Sequence, residues 1–376
     1  MLATYRETLL AVLRDKGVLL LALIAPVLYS FFYPLPYLNP LVTQVPVALV
    51  DLDGSSLTRQ LIRSIQASPK LRLTLVTGDE AEVRAALQRR DIEGYAVLPP
   101  DLKRHVLRGD AVVVPVLGDG AFFLLNKTVL AGFAEAVGTV SAGVEIRKLQ
   151  AGGQGAGQAA ASLSPINLQL LPLFNPSEGY GSYVVPAVAV VIVHQTLLMA
   201  VAMWVGTWFE VARRRERTGV WLARLAAFAS LGCLSGAYFF GFVFWFFDYG
   251  RGGDAVALAT LLVLLSWTVA ALGTALGAML ADRERAIQML LFSSIPMVFL
   301  SGFSWPQEAL VPPLRLLAEM LPTTPAVQGF LRVNQMGATF AEVLPQLQQL
   351  GVMALLATAL ALVSVHWRRS GGPSPA

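Results

Sequence analysis

The sequence predicts an α-helical polytopic membrane protein with six spans and an inserted extracytoplasmic α/β domain. Charged residues make up 14% of its 376 residues and hydrophobic residues 55%, whereas soluble domains carry about 25% charged residues. Several runs without any charge are long enough for a helix to cross a hydrocarbon core about 30 Å thick. Between the first two runs, strand and helix patterns alternate, which is typical of an α/β layer arrangement.

Residues 1–16 are predicted to form an amphipathic helix, because apolar and aromatic side chains share one face while charged side chains lie elsewhere. A helix of this kind lies in the membrane interface, parallel to the bilayer. The predicted apolar face consists of Leu2, Tyr5, Leu9, Val12 and Leu13.

Six uncharged runs predict the membrane spans, one at 17–38 and five within 179–367. The first run is longer than the apolar region of a signal peptide, contains Pro26 and is followed by no A-x-A cleavage site, so it is predicted to stay as a span. The last run becomes apolar only from Leu350. The later runs cover 179–209, 225–247, 255–281, 286–307 and 343–367.

The distribution of basic residues predicts the orientation of the spans. Twelve lysines and arginines lie in the short segments on the side of the termini, and three lie in the short segments on the opposite side. The positive-inside rule therefore places both termini in the cytoplasm, including the tail 368–376, and places 39–178 outside it. Because the basic excess is explained as a topology signal, nucleic acid is not expected as a partner.

The external domain is predicted at 39–178, where short β-branched runs alternate with helical patterns. Ser55 or Ser56 and Asp79 precede helical patterns and are predicted helix caps. The predicted strands are 45–50, 71–76, 94–98 and 111–117, and the predicted helices between them are 57–65, 79–90 and 101–107.

A longer helix is predicted at about 121–149, because apolar residues recur there every three or four positions. This stripe could pack on its own domain or on a partner helix, and the first interpretation is favoured. The stripe consists of Phe122, Leu125, Val129, Phe133, Val137, Val140 and Val144.

No catalytic, cofactor or metal site is predicted in this chain. The glycine-rich stretch 151–161 lacks the lysine of a phosphate-binding loop. Asp51 and Asp53 follow a strand, but the sequence around them is typical of a turn into a helix. The three histidines are scattered, and the single cysteine, Cys233, cannot form a disulfide within the chain.

Four stretches resemble the permease family of type-2 ATP-binding-cassette exporters, the ABC-2 family, over nearly the whole chain. The likeness is to the bacterial inner-membrane subgroup that has a large periplasmic domain. The stretches are VPVALVDLDGSSLTRQLIRSI, NPSEGYGSYVVPA, FEVARRRERTG, and SGFSWPQEAL followed by LPTTPAVQGFLRVNQMGA.

The resemblance implies a permease subunit that moves an amphiphilic or hydrophobic substrate out of the cytoplasm or inner membrane. A separate cytoplasmic ATPase would bind ATP and Mg²⁺, and a second permease copy or a paralogue would complete a dimer. Some members also use a periplasmic adaptor and an outer-membrane channel. The alternative function is a membrane-anchored sensor or assembly factor whose periplasmic domain binds a ligand or partner.

An external energy source also follows from the residues themselves. The uncharged runs contain no aspartate, glutamate, lysine or arginine, and their two histidines are His194, within the second run, and His366, at the end of the last run. The chain also has no nucleotide-binding motif. The resemblance makes 1–16 an elbow helix and 210–221 the loop that couples to the ATPase. The coupling candidates are Glu210, Arg213, Arg214, Arg215, Glu216, Arg217 and Gly219.

The resemblance implies that the segment at about 301–325 re-enters the membrane from outside and forms the exit gate. Pro306 should end the helix of the fifth span. After it, Leu310, Leu314, Leu317 and Leu321 share one face of a helix that Pro312–Pro313 should interrupt. A plain periplasmic loop is the alternative interpretation. The gate candidates are Ser301, Gly302, Phe303, Ser304, Trp305 and Pro306.

Overall fold

The chain divides into two compact units in the computed structural model, one of Met1–Pro40 with Pro172–Ala376 and one of Leu41–Leu171. The structure describes residues 1–39, 41–155, 157–158, 172–176, 178–211 and 216–371, with side chains described as far as 367. Helices dominate the described residues, and the second unit contains a four-stranded sheet.

The elements are numbered in chain order. The helices are α1 (Leu2–Arg14), α2 (Lys16–Tyr37), α3 (Ser56–Gln66), α4 (Glu80–Gln88), α5 (Leu102–Arg108), α6 (Phe123–Ala151), α7 (Tyr180–Val211), α8 (Thr218–Phe246), α9 (Ala255–Leu280), α10 (Arg283–Leu300), α11 (Pro312–Glu319), α12 (Thr323–Met336) and α13 (Leu344–Gly371). The strands are β1 (Val45–Asp51), β2 (Leu71–Thr77), β3 (Gly94–Leu98) and β4 (Val116–Gly118).

Asp15 separates α1 from α2. Its backbone is extended, with φ −87° and ψ 105°, so the first helix cannot continue through it. The Asp15 Oδ1 atom accepts hydrogen bonds from the backbone N–H groups of Gly17 at 3.0 Å and Val18 at 3.2 Å. A side-chain oxygen at this position satisfies two of the free donors at the start of α2.

Helix α1 packs against α8 through a narrower face than the sequence predicts. The Tyr5 hydroxyl donates to Ser230 Oγ at 2.9 Å, and Val12 is fully buried. Leu2 and Leu13 of the predicted apolar face are 83% and 51% exposed. Their exposure fits a helix with one side on protein and its flanks open to an interface.

Two of the long helices contain a π-helical turn, in which the backbone takes a wider path. The Ser235 hydroxyl of α8 donates to the carbonyl oxygen of Ala22 at 3.2 Å, and Ser30 of α2 is hydrogen-bonded to the Tyr238 hydroxyl at 3.0 Å. The two helices are therefore joined at their π turns by polar side chains. The turns are Leu20–Ile24 in α2 and Tyr238–Val243 in α8.

Among the described residues, six helices are long and apolar enough to cross a membrane: α2, α6, α7, α8, α9 and the Leu344–Trp367 part of α13. Five of them coincide with predicted spans, whereas α6 lies in the second unit. The predicted fifth span corresponds to α10, which begins with three charged residues. Its fifteen uncharged residues reach about 22 Å, less than the roughly 30 Å of a hydrocarbon core.

The predicted end of the fifth span at Pro306 is wrong, because α10 ends at Leu300. Gly302 has a φ of +87°, a left-handed conformation that terminates a helix and that glycine adopts without strain. The prediction about Pro312–Pro313 is also wrong. These prolines start α11 instead of interrupting a helix, since proline has no N–H to lose in a first turn.

The sheet of the second unit has the strand order β2-β1-β3-β4. Strand β1 pairs in parallel with β2 and β3, and β3 pairs antiparallel with β4. The predicted strands 45–50, 71–76 and 94–98 are confirmed, each within a residue or two of its bounds. The predicted strand 111–117 is mostly wrong, since β4 begins only at Val116, directly after Pro115.

Helix α6 packs on the sheet of its own unit, in agreement with the favoured interpretation that its apolar stripe packs on its own domain. Val129, Phe133 and Val140 are buried with Leu71 of β2 in one apolar cluster. A Cβ atom at Gly132 would lie 2.6 Å from Leu71 Cγ, so the glycine permits the close approach of helix and strand. The alternative, a stripe left open for a partner helix, does not hold for these residues.

Phe133→Ala should therefore destabilise the second unit. Removing this fully buried ring leaves a cavity and should lower the free energy of unfolding by about 3–5 kcal/mol. The measurement is resistance to proteolysis over a urea series for the full-length protein in detergent. Phe123→Ala on the same helix is the control, because Phe123 is 75% exposed. Equal midpoints for the two variants would contradict the packing of α6.

Candidate functional site

The predicted coupling residues lie at the ends of two helices. Glu210 is in the last turn of α7, and Glu216 and Arg217 directly precede α8. Gly219 is in the first turn of α8, where an added Cβ would lie 3.5 Å from Met1 Cε of the N-terminal segment. Arg213, Arg214 and Arg215 lie outside the described residues. The described part of the loop contains no separate coupling helix.

Arg283, at the start of α10, ties two other segments together. Its Nη1 donates to Asp15 Oδ2 at 2.5 Å and to Thr207 Oγ1 of α7 at 3.1 Å, and its Nη2 donates to Asp15 Oδ1 at 2.7 Å. The side chains of Arg283 and Asp15 are 30% and 23% exposed. Two parallel bonds between a guanidinium and a carboxylate form a strong and directional ion pair.

Glu210 completes this cluster from the end of α7. Its Oε1 accepts the backbone N–H of Arg283 at 2.6 Å, which places a negative charge at the N-terminus of α10, where the helix dipole favours it. The hydrogen bond from Arg283 is the main reason that the pKa of Asp15 lies below its usual range, and the Val18 and Gly17 N–H groups lower it further. Three chain segments thus meet in one charged cluster of Asp15, Glu210 and Arg283.

A buried arginine lies near the start of α8. Arg224 is 5% exposed, and its guanidinium carbon lies 3.8 Å from the ring centre of Trp208, 4.6 Å from that of Trp221 and 5.5 Å from that of Trp204. Its Nη2 also lies 3.6 Å from Glu216 Oε1. A guanidinium between aromatic faces is stabilised by cation–π attraction. The predicted coupling residue Glu216 is therefore tied to the interior of the helix bundle.

A groove of about 640 Å³ lies beside this arginine, between α1 and α7. Trp204 and Trp208 form one wall with their rings stacked 5.6 Å apart. Glu7, Arg14 and Asp15 line the other side. The groove separates the N-terminal helix from the end of α7, next to the charged cluster.

Different helix ends meet at the opposite end of the bundle. The rings of Tyr37 and Tyr180, at the end of α2 and the start of α7, are 5.5 Å apart. Asp254 caps α9, and its Oδ2 accepts the backbone N–H of Phe340 at 3.1 Å. All these positions are predicted to lie outside the cytoplasm. The predicted inner and outer ends of the helices are thus gathered at separate ends of the unit.

The predicted gate residues form a tight turn after α10. Ser301 is buried, and its Oγ donates to the Val298 carbonyl at 2.7 Å. Gly302 is closely packed against Gln307, because an added Cβ would lie 3.1 Å from Gln307 Cγ. Phe303 is partly buried, whereas the last three gate candidates are exposed. These are Ser304, Trp305 and Pro306.

Two other helices hold this turn in place. From α12, Thr324 Oγ1 donates to the Leu300 carbonyl at 3.3 Å. From α7, the Tyr183 hydroxyl donates to the Phe303 carbonyl. Most of α11 beyond the turn is exposed, including Leu314 and Leu317 of its predicted apolar face. The turn is therefore fixed to the bundle, whereas α11 presents apolar surface outward.

An apolar groove of about 730 Å³ runs between α2, α7 and α10. Gln195 of α7 is one of its polar residues, and its Nε2 donates to the Leu290 carbonyl of α10 at 2.6 Å. The outer face of α10 is also apolar and exposed, with Phe292 at 82% and Ile295 at 68%. The groove can accommodate a hydrophobic or amphiphilic molecule of drug-like size.

Sequence reasoning found Glu210 and Glu216 but missed their partners. Arg224 and Arg283 were counted only as basic residues that flank uncharged runs, and Asp15 was not singled out. Their position at the edges of those runs is the one signal in the sequence that indicates ion pairing, since a charged side chain next to the membrane must be either hydrated or paired with an opposite charge. Which charges pair depends on the packing of α2, α7, α8 and α10.

The chain matches the family described as ABC-2 family transporter protein over residues 16–363. No curated protein matches it. The match includes Glu210 and Arg283 of the charged cluster, the apolar groove and the turn after α10, and it begins one residue after Asp15. It confirms the resemblance of the quoted stretches. The chain therefore belongs to the ABC-2 transporter family of membrane proteins.

Proposed function

We propose that the protein is the permease subunit of an ATP-driven exporter in a bacterial inner membrane, powered by a separate cytoplasmic ATPase. Family membership supports a transporter component. The observation that carries the proposal further is the cluster of Asp15, Glu210 and Arg283. It joins the elbow helix region, the predicted coupling loop and a helix of the apolar groove.

The arrangement of the helix ends supports the proposed topology. Asp15, Glu210 and Arg283 meet at one end of the bundle, and the positive-inside rule assigns all three to the cytoplasm. Tyr37 and Tyr180 meet at the other end, from which 39–178 would extend into the periplasm. Helix α10 then crosses most of the hydrocarbon core, and the turn at 301–306 crosses part of the remaining thickness.

Coupling would run from the loop 210–221 through this cluster. An ATPase that moves the loop displaces Glu210, which accepts the first N–H of α10, and Arg283 carries the displacement to Asp15 at the start of α2. Helices α2 and α10 line two sides of the apolar groove. A movement on the cytoplasmic side is thereby converted into a change in the width of the groove.

The substrate path would lie along the groove and the exposed face of α10. A second permease copy or a paralogue would cover this face, on which Met289, Phe292, Ile295 and Phe299 are more than half exposed. The turn at 301–306 would then lie near the dimer axis and act as the exit gate. ATP and Mg²⁺ would bind the ATPase chain, and an adaptor and outer-membrane channel would follow the gate where the exporter uses them.

Purification with native partners tests the function. The tagged chain, extracted in mild detergent, should retain an ABC ATPase whose hydrolysis rises when lipids and amphiphilic compounds are added. Retention of a different partner without any ATPase would contradict the proposal and favour the sensor or assembly factor.

Arg283→Gln should uncouple ATP hydrolysis from transport. Asp15 would lose its bidentate partner, and we expect stimulation of the ATPase by substrate to fall about tenfold, equivalent to about 1.4 kcal/mol of coupling free energy. Stimulation of the ATPase in Arg283→Lys should lie between that of the unchanged protein and that of Arg283→Gln, because an ammonium keeps the charge but not the fork geometry. The comparison is between stimulated and basal ATPase rates of the assembled complex.

The matched control is Arg285→Gln, two residues along the same helix. Arg285 is 75% exposed and lies 3.4 Å from Asp282, a neighbour in sequence, so exposed pairing of this kind contributes little. Orientation in the membrane must be the same in all variants. Equal stimulation in the Arg283 and Arg285 variants would refute the coupling role.

Ser304→Trp should block export at the proposed gate. Ser304 is exposed, and its Oγ donates to the Val298 carbonyl at 3.1 Å, a bond that Ser304→Trp and Ser304→Ala both remove. The two variants therefore differ in the large ring, which would project from the turn. We expect export of the stimulating substrate to fall by at least about tenfold, whereas Ser304→Ala should change it by less than about twofold, as surface changes usually do. Export at the normal rate in Ser304→Trp would show that the turn is not part of the export pathway.

Gly302 is a poorer position for the same test. Its φ of +87° makes any side chain strained, at a cost of about 1–2 kcal/mol. A bulky residue at Gly302 is therefore expected to disturb the turn itself, and loss of export in such a variant would not separate gating from folding.

A further inference from the structure

The second unit contains a groove between α3, α5 and α6 that the transport proposal does not use. Its inner part, about 330 Å³ in volume, has an apolar floor. An adjoining outer part of about 620 Å³ shares Leu57, Val106, Val144 and Lys148 with it. The two parts therefore form one continuous groove, with an apolar inner end and a wider mouth.

The mouth is lined by basic side chains. Arg63, Lys103, Arg147 and Lys148 line it, and the described residues of its lining include no aspartate or glutamate. Arg147 is fixed in position, since its Nη2 donates to Gln60 Oε1 at 3.0 Å and its Nε donates to the Gly143 carbonyl at 3.1 Å. Among the residues that the structure describes, Arg63 and Lys103 form no ion pair.

The acidic residues of the inner part are already paired. Asp110 Oδ2 lies 3.1 Å from His105 Nδ1, and Glu145 Oε2 lies 4.0 Å from Lys148 Nζ. Arg63, Lys103 and Arg147 thus remain as uncompensated positive charge at the mouth. Arg147 also joins α6 to α3 through Gln60, whereas the packing of the three helices rests mainly on apolar residues such as Leu61 and Val140. Arg63 and Lys103 are therefore not needed to hold the helices together.

We propose that this groove binds a single-chain anionic amphiphile. Its acyl chain would lie on Leu57, Val106 and Val144, and its carboxylate or phosphate would meet Arg63, Lys103 and Arg147. The volumes lie in the range of small-molecule pockets, about 300–1,000 Å³, and an arginine fork held by other bonds suits an oxyanion. The inference stands independently of the proposed transport function.

Photolabelling of the full-length protein in phosphatidylcholine nanodiscs tests this site. The probe is a palmitate analogue with a diazirine in its chain, and labelled peptides are mapped by mass spectrometry. We expect labelled peptides that contain Val106 or Val144. A monoacylglycerol phosphate with the same diazirine chain distinguishes a lipid source of the anion from a free fatty acid, and a hexadecanol analogue tests the need for charge.

The double variant Arg63→Glu with Lys103→Glu should reduce labelling of these peptides about tenfold for the charged probes, equivalent to about 1.4 kcal/mol. The control double variant is Arg72→Glu with Lys127→Glu, two exposed residues of the same unit that do not line the groove. It makes the same change in net charge and should label normally.

Four results would overturn the proposal. Labelling confined to the spans would show that the groove does not bind the probe. Equal labelling by the hexadecanol analogue would show that the basic side chains of the mouth do not contribute to binding. Displacement of the probe by an acidic amphipathic peptide, but not by unlabelled palmitate, would assign the groove to a protein partner instead. Loss of labelling in both double variants would show a general charge effect and would equally contradict the assignment.

Discussion

The ion pair between Asp15 and Arg283 is the interaction on which the arrangement of α2, α7 and α10 depends. It joins residues that are 268 positions apart in sequence, and the two side chains are partly buried, so water screens their charges only in part. A charge in such a place must keep its partner, because removing one member leaves the other uncompensated. The pair therefore specifies which helix ends can lie together, beyond what apolar packing requires.

The same carboxylate also starts a helix. Asp15 Oδ1 accepts the N–H groups of Gly17 and Val18 and one guanidinium N–H of Arg283. The direction of α2 at its first turn and the position of α10 are consequently set by one side chain. Glu210 does the corresponding task for α10 by accepting its first N–H. Two of the three helices of the groove, α2 and α10, thus begin at an acidic residue contributed by the loop or helix next to them.

Much of the fold could be predicted because its causes are local. Runs without charge located five of the helices that are long enough to span, and alternating patterns located three strands. The end of α10 was mispredicted because Gly302, through its left-handed backbone, ends the helix before Pro306 can. Glu210 became a coupling candidate through the resemblance of its loop to the family, and that role stays a prediction. The cage around Arg224 depends on three tryptophans from two helices, a tertiary arrangement that spacing does not reveal.

The π turn in α2 has a consequence for how this helix tolerates change. Its buried residues recur at every fourth position, at Val18, Ala22, Pro26 and Ser30. An uninterrupted α-helix would rotate such a repeat by about 40° per step, since it has 3.6 residues per turn. The wider turn at Leu20–Ile24 absorbs this rotation and keeps Ser30 facing Tyr238. The phase of the outer half of α2 is therefore set by the number of residues in that turn, and less by which apolar residues they are.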